Sequence, residues 1–75
     1  MDEKQLSILF KEGVLMSATL VSNPMGKGYL LQFNSRTGDV YMLSSFRSDA
    51  RIFKTFDLAA RVAQSIGFKS MTVIF

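Results

Sequence analysis

The chain has 75 residues, a formal net charge of +3, and neither histidine nor cysteine. It is long enough for one domain, which we expect to span residues 1–75, and it has no disulfide, thiolate or imidazole to stabilise the fold or carry chemistry. Hydrophobic residues make up 48% of the sequence and must supply the stability, so we expect self-association, as a homo-oligomer such as a homodimer, to add to it.

Residues 1–12 are predicted to form a short amphipathic helix. Leu6, Leu9 and Phe10 follow helical spacing, whereas Ile8 departs from it. An extended arm that pairs with another subunit is the alternative, and the sequence leaves both open.

Three strands are predicted next, over residues 14–22, 29–34 and 39–44, joined by turns rich in glycine, proline and asparagine. In the first strand, alternation predicts four inward-facing residues: Val14, Met16, Ala18 and Leu20. The third strand is apolar on both faces, which favours a central position in the sheet or an interface.

The main helix is predicted over residues 55–66. Thr55 is a good N-cap, and Gly67 can adopt the left-handed conformation that ends a helix. Four apolar residues recur at helical spacing and predict its inner face: Ala59, Val62, Ala63 and Ile66.

An extended segment over residues 51–54 precedes this helix, and a last strand over residues 69–75 follows it. The predicted fold is therefore α+β. A small antiparallel sheet combines a three-stranded meander with a strand, helix, strand unit, whose crossover should be right-handed.

An enzymatic function is not expected, because no reactive side chains are grouped in the sequence. The acids of residues 13–75 have local explanations: Asp39 follows a turn glycine, Asp49 lies in a polar segment, and Asp57 begins a helix. We expect no catalytic residue, metal or cofactor.

The sequence Gly26-Lys27-Gly28 is typical of a hairpin turn rather than a phosphate-binding loop, because strand residues follow it.

Nucleic-acid binding is the leading functional hypothesis. Residues 13–75 carry seven lysines and arginines against three acids, a balance of +4. The candidate phosphate contacts are Lys27, Arg36, Arg47, Arg51 and Lys54. The candidate stacking residues are Phe46 and Phe53, although burial of Phe53 in a core would be the simpler explanation for that ring.

A protein-interaction module, acting as an inhibitor or assembly factor, is the alternative. Its contact surface would be the third strand or an N-terminal patch of Leu6, Ile8, Leu9 and Phe10. Met25, beside the turn proline, is expected to be exposed.

No apolar run reaches the ~20 residues that cross a bilayer, and the first residues do not resemble a signal peptide. We therefore expect a cytoplasmic protein without membrane contact.

Residues 51–68 resemble a pattern found in small accessory proteins of bacterial plasmids and other mobile elements. The segment that carries the resemblance is Arg51-Ile52-Phe53-Lys54-Thr55-Phe56-Asp57-Leu58-Ala59-Ala60 followed by Ile66-Gly67-Phe68. The resemblance implies a bacterial, non-enzymatic role in plasmid maintenance or regulation. It supplies no binding residues.

Overall fold

A computed structural model describes residues 2–43 and 51–74 of the chain. The described residues form two helices and five strands, in agreement with the predicted α+β class: α1 Glu3–Lys11, β1 Leu15–Ser22, β2 Tyr29–Ser35, β3 Val40–Met42, β4 Ile52–Phe53, α2 Phe56–Ile66 and β5 Thr72–Ile74. Neither of these helices has the length and apolarity that a membrane span requires.

The sheet is mixed, not purely antiparallel as predicted. Its strand order is β3-β2-β1-β5, and β4 pairs with β2. The meander β1-β2-β3 is antiparallel, but β5 runs parallel to β1. Helix α2 explains the parallel strand. It carries the chain from β4 across to the far edge of the sheet, where β5 runs in the same direction as β4.

Strands β3 and β4 lie in succession along the same edge of β2. Strand β3 pairs with residues 32–34, and β4 pairs with Tyr29 and Leu30. The backbone N–H of Arg51 donates to the carbonyl of Leu43 at 2.8 Å, between the two pairings. Of the two interpretations of the third strand, the central position is therefore wrong, and an interface stays a prediction.

The two apolar faces of β3 have separate explanations in the structure. Tyr41 packs against the core, whereas Val40 projects to the other side of the sheet and is 55% exposed. An edge strand can therefore be apolar on both faces, like a central strand, when one face contacts the core and the other belongs to an uncovered side of the sheet.

A β-bulge near the start of β1 changes which residues face inward. The register shifts between Leu15 and Ser17. Leu15 consequently enters the core with 4% exposure, while Met16 is 61% exposed, so its predicted inward orientation is wrong. Ala18 and Leu20, beyond the bulge, are buried as predicted.

The N-terminal segment is a helix, not an extended arm. A capping box begins α1: the Asp2 side chain accepts from the backbone N–H of Gln5, whose side chain accepts from the N–H of Asp2. Most of the predicted N-terminal interaction patch is used by α1 for packing, and its exposed member is Ile8, at 50%. Leu6 is fully buried and Leu9 and Phe10 pack against the core.

Helix α2 begins and ends where the sequence predicts. The Thr55 hydroxyl accepts from the backbone N–H of Leu58 at 3.3 Å, and Gly67 follows the last turn with φ +136°. The predicted inner face is buried: Ala59, Val62, Ala63 and Ile66. Just beyond the helix, the ring of Phe68 contacts the rings of Phe10 and Phe33, joining both helices to the sheet.

Candidate binding surface

Both helices pack on one face of the sheet. On that face, Leu31 and Phe33 of β2 are buried in the core. We call the opposite side, on which Leu30, Gln32 and Asn34 of β2 lie, the open face. Within the described residues no helix covers it.

Four aliphatic side chains line up across the open face, one from each of four strands. Ile52 pairs with Leu30, Leu30 with Val21, and Val21 with Ile74. We call these four residues the apolar row. Neighbouring strands lie about 4.8 Å apart, so the row is roughly 14 Å long. Its terminal members, Ile52 and Ile74, are each 53% exposed.

A polar strip borders the apolar row on one side. In the next position along the strands, Gln32 pairs with Thr19, and Thr19 with Thr72. Beyond them, the Asn34 amide donates to the Ser17 hydroxyl at 3.1 Å and to the Thr19 hydroxyl at 3.4 Å. The strip therefore satisfies the Asn34 amide from within the sheet. Outside the row, the open face also carries two apolar residues of β3: Met42, which pairs with Gln32, and Val40, which pairs with Asn34.

A pocket borders the row on its other side, at the β1–β2 hairpin. It has a volume of about 360 Å³ and is lined by Lys27, Gly28, Ile52 and Lys54. We call it the lysine pocket. Because Ile52 is also the first member of the apolar row, the pocket and the row form one continuous surface.

Two local features shape the lysine pocket. The hairpin turn is held by Asn23, whose amide donates to the carbonyl of Lys27 at 3.1 Å and whose side-chain oxygen accepts from the N–H of Met25 at 3.1 Å. Gly28 has φ +96°, and a Cβ placed on it would lie 2.5 Å from Cγ2 of Ile52. Only glycine therefore lets Ile52 lie directly over this backbone.

The structure brings together two of the predicted phosphate contacts, Lys27 and Lys54. Both are exposed, and neither forms an ion pair within residues 2–43 and 51–74. Met25, in the same turn, is 91% exposed, which confirms the sequence expectation.

The other predicted contacts do not join this pair. Arg36 lies at the opposite end of β2, roughly 23 Å away at 3.3 Å per residue, where its Nε donates to the carbonyl of Gly13. The guanidinium carbon of Arg51 lies 4.9 Å from the ring centroid of Phe53. Arg47 and Phe46 lie outside the described residues.

The proposed stacking role of Phe53 is contradicted by its burial. Its side chain is 2% exposed and belongs to the hydrophobic core. A base needs access to the face of a ring, so this ring cannot serve as a platform for a nucleic acid. Alternation explains the difference, because Phe53 points to the core while its neighbours Ile52 and Lys54 point to the pocket.

The surface can bind but offers no grouped reactive chemistry. The lysine pocket is lined mostly by apolar atoms, and its charged side chains are Lys27 and Lys54, whose ammonium groups can donate hydrogen bonds to anions. Among the described residues no three acids are close enough to share a metal ion.

The sequence reasoning missed the apolar row. Val21 and Leu30 each interrupt an otherwise polar strand face, next to the hairpin turn, and this was the available signal. Their alignment with Ile52 and Ile74 depends on pairing between distant segments, which the sequence alone does not define.

No protein-family model, curated protein or solved structure matches the chain. These comparisons therefore assign no function to the chain.

Proposed function

We propose that this chain is a binding module that engages another protein through the open face of its sheet. The observation that carries the proposal is the apolar row, in which four strands place aliphatic side chains at the same level on the side without helices. Contiguous exposed apolar surface of this kind is typical of interaction sites, whereas single exposed apolar residues are normal.

The pattern of the individual strands supports the proposal. A sheet with one face buried usually alternates apolar and polar residues, with the polar residues facing water. Strands β1 and β2 follow that rule at Thr19 and Gln32 but depart from it at Val21 and Leu30, which are paired neighbours. The two apolar residues that break the rule are neighbours, and Ile52 and Ile74 extend them on both sides. A continuous row of this kind favours a binding surface over single exposed apolar residues.

Nucleic-acid binding is the second candidate, and it stays a prediction. Lys27 and Lys54 favour it, because they share one pocket without an ion-pair partner in the described part of the chain. Against it, the row and the polar strip carry no aromatic side chain on which a base could stack. A protein partner therefore explains both the apolar row and the lysine pocket, whereas a nucleic acid explains only the pocket.

A role in plasmids or other mobile elements also stays an expectation. In the segment that carries the resemblance, Thr55 caps α2, and Gly67 ends it against the ring of Phe10. These structural roles explain part of the pattern without a shared function. Self-association and a cytoplasmic location likewise remain predictions.

A random peptide library displayed on phage, selected against the full chain, tests the proposal. The test variant is Ile52→Thr with Ile74→Thr, which removes exposed apolar surface from both ends of the row and keeps β-branched residues in the strands. The matched control is Val40→Thr, because Val40 is 55% exposed on the same face but outside the row.

We expect peptides selected on the unmodified chain to bind the row variant at least about tenfold more weakly and the control unchanged. Failure to select any peptide, or equal binding to all three proteins, would contradict the proposal. A fluorescence-anisotropy titration with single- and double-stranded oligonucleotides at low salt runs alongside. Oligonucleotide binding without peptide binding would favour the second candidate.

A further inference from the structure

We infer that the partner of the open face is an acidic protein segment. Its apolar side chains would pack on the apolar row, and an Asp or Glu side chain next to them would enter the lysine pocket. This inference rests on the proposed function, which it deepens by naming the chemistry of the partner.

The first argument is the position of the charges. Ile52 belongs to both the apolar row and the lysine pocket, so a segment that covers the row reaches Lys27 and Lys54 without a gap. Each ammonium group has three N–H donors, and neither lysine is paired with a carboxylate in the part of the chain that the structure describes. A carboxylate supplied by the partner would form charge-assisted hydrogen bonds there.

The second argument is the size of the available space. The pocket of about 360 Å³ accommodates a carboxylate side chain together with water. The lining combines the aliphatic Ile52 with two lysines, which suits a side chain with an apolar stem and an anionic end.

The third argument is against a second copy of this chain packed face to face on the open face. Such a copy would bring its own Lys27 and Lys54 to the surface rather than the acids that these lysines lack in the described part of the chain.

The experiment compares selected peptides with charge variants of both partners. Peptides selected on the full chain are synthesised with their acids and with each Asp or Glu replaced by Asn or Gln. The protein variant is Lys27→Gln with Lys54→Gln. The control is Lys4→Gln with Lys69→Gln, which removes the same charge from exposed positions outside the pocket.

We expect selection to enrich Asp or Glu next to apolar residues. Affinity should fall about tenfold on amide replacement in the peptide and on loss of Lys27 and Lys54, and it should weaken with salt. The control should bind like the unmodified chain. Replacing the peptide acids and the two lysines together should cost no more than either change alone, because the two partners share one interaction.

Four results would overturn the inference. Peptides without acids, or binding that the row variant weakens but Lys27→Gln with Lys54→Gln does not, would leave the proposed function standing and remove its acidic partner. Binding of oligonucleotides at the lysine pocket instead of peptides would assign the pocket to phosphates. A dimer in sedimentation that Ile52→Thr with Ile74→Thr dissociates would assign the face to a second copy.

Discussion

Gly67 lies directly against the ring of Phe10. A Cβ placed on Gly67 would be 2.5 Å from Cε1 of that ring, and the glycine has φ +136°, which L side chains rarely adopt. The same ring lies edge-on to Phe68, with a centroid distance of 4.8 Å. The glycine that ends α2 is therefore also the point where α1 packs against it.

Gly67→Ala should reduce the free energy of unfolding by about 2–4 kcal/mol, because it combines backbone strain with overpacking against Phe10. Urea denaturation followed by circular dichroism measures the change. Gly38→Ala is the matched control, since Gly38 has φ +95° but nothing within 4 Å of a new Cβ. Equal losses in the two variants would mean that the contact with Phe10 contributes nothing.

Local signals in the sequence explain how much of α2 could be predicted. Thr55 and Gly67 mark its ends through interactions within a few residues, and the structure confirms both. The contact between Gly67 and Phe10 joins residues far apart in the chain and has no local signal. The parallel pairing of β5 with β1 was missed for the same reason, because it depends on where the helical crossover returns the chain.

The candidate site was predictable only in part. The sequence places Lys27 in a turn and Lys54 just before a helix, and it shows their charge but not their convergence. The sequence left Phe53 open between a stacking role and the core, because an aromatic residue among cations has the same sequence in both cases; its 2% exposure decides for the core. Strand alternation decides between the two, and it requires the register of β4 on β2.

The bulge in β1 predicts opposite effects for two adjacent residues. Leu15→Ala should lower the free energy of unfolding by about 2–5 kcal/mol, because Leu15 is 4% exposed in the core. Met16→Ala should change it by less than about 0.5 kcal/mol, because Met16 is 61% exposed. Chemical denaturation of both variants measures the difference. A larger loss for Met16→Ala would show that β1 alternates without the bulge.

The N-cap of α2 offers a graded test. Thr55→Ala should cost about 1 kcal/mol of stability, because the backbone N–H of Leu58 loses its acceptor. Thr55→Ser and Thr55→Asp keep an acceptor and should stay within about 0.5 kcal/mol of the unmodified chain. Thermal denaturation ranks the variants. If the alanine variant ranks with serine, the cap has no energetic role.

Ser35 organises the β2–β3 turn from a buried position. It is 2% exposed, and its hydroxyl accepts from the backbone N–H groups of Asp39 at 2.9 Å and Thr37 at 3.3 Å. Ser35→Ala should cost about 1–3 kcal/mol, because it leaves these donors without their acceptor. Ser22→Ala, at an exposed position in β1, is the control and should cost less than about 0.5 kcal/mol.

Hydrogen exchange separates this local effect from a general loss of stability. The amide of Asp39 should exchange faster in Ser35→Ala by a larger factor than the amide of Leu20, which lies in β1 away from the turn. Equal acceleration at both amides would place the loss in the whole fold rather than in the turn. In that case Ser35 would stabilise the fold as a whole, and its hydrogen bonds in the β2–β3 turn would not be the cause of the loss.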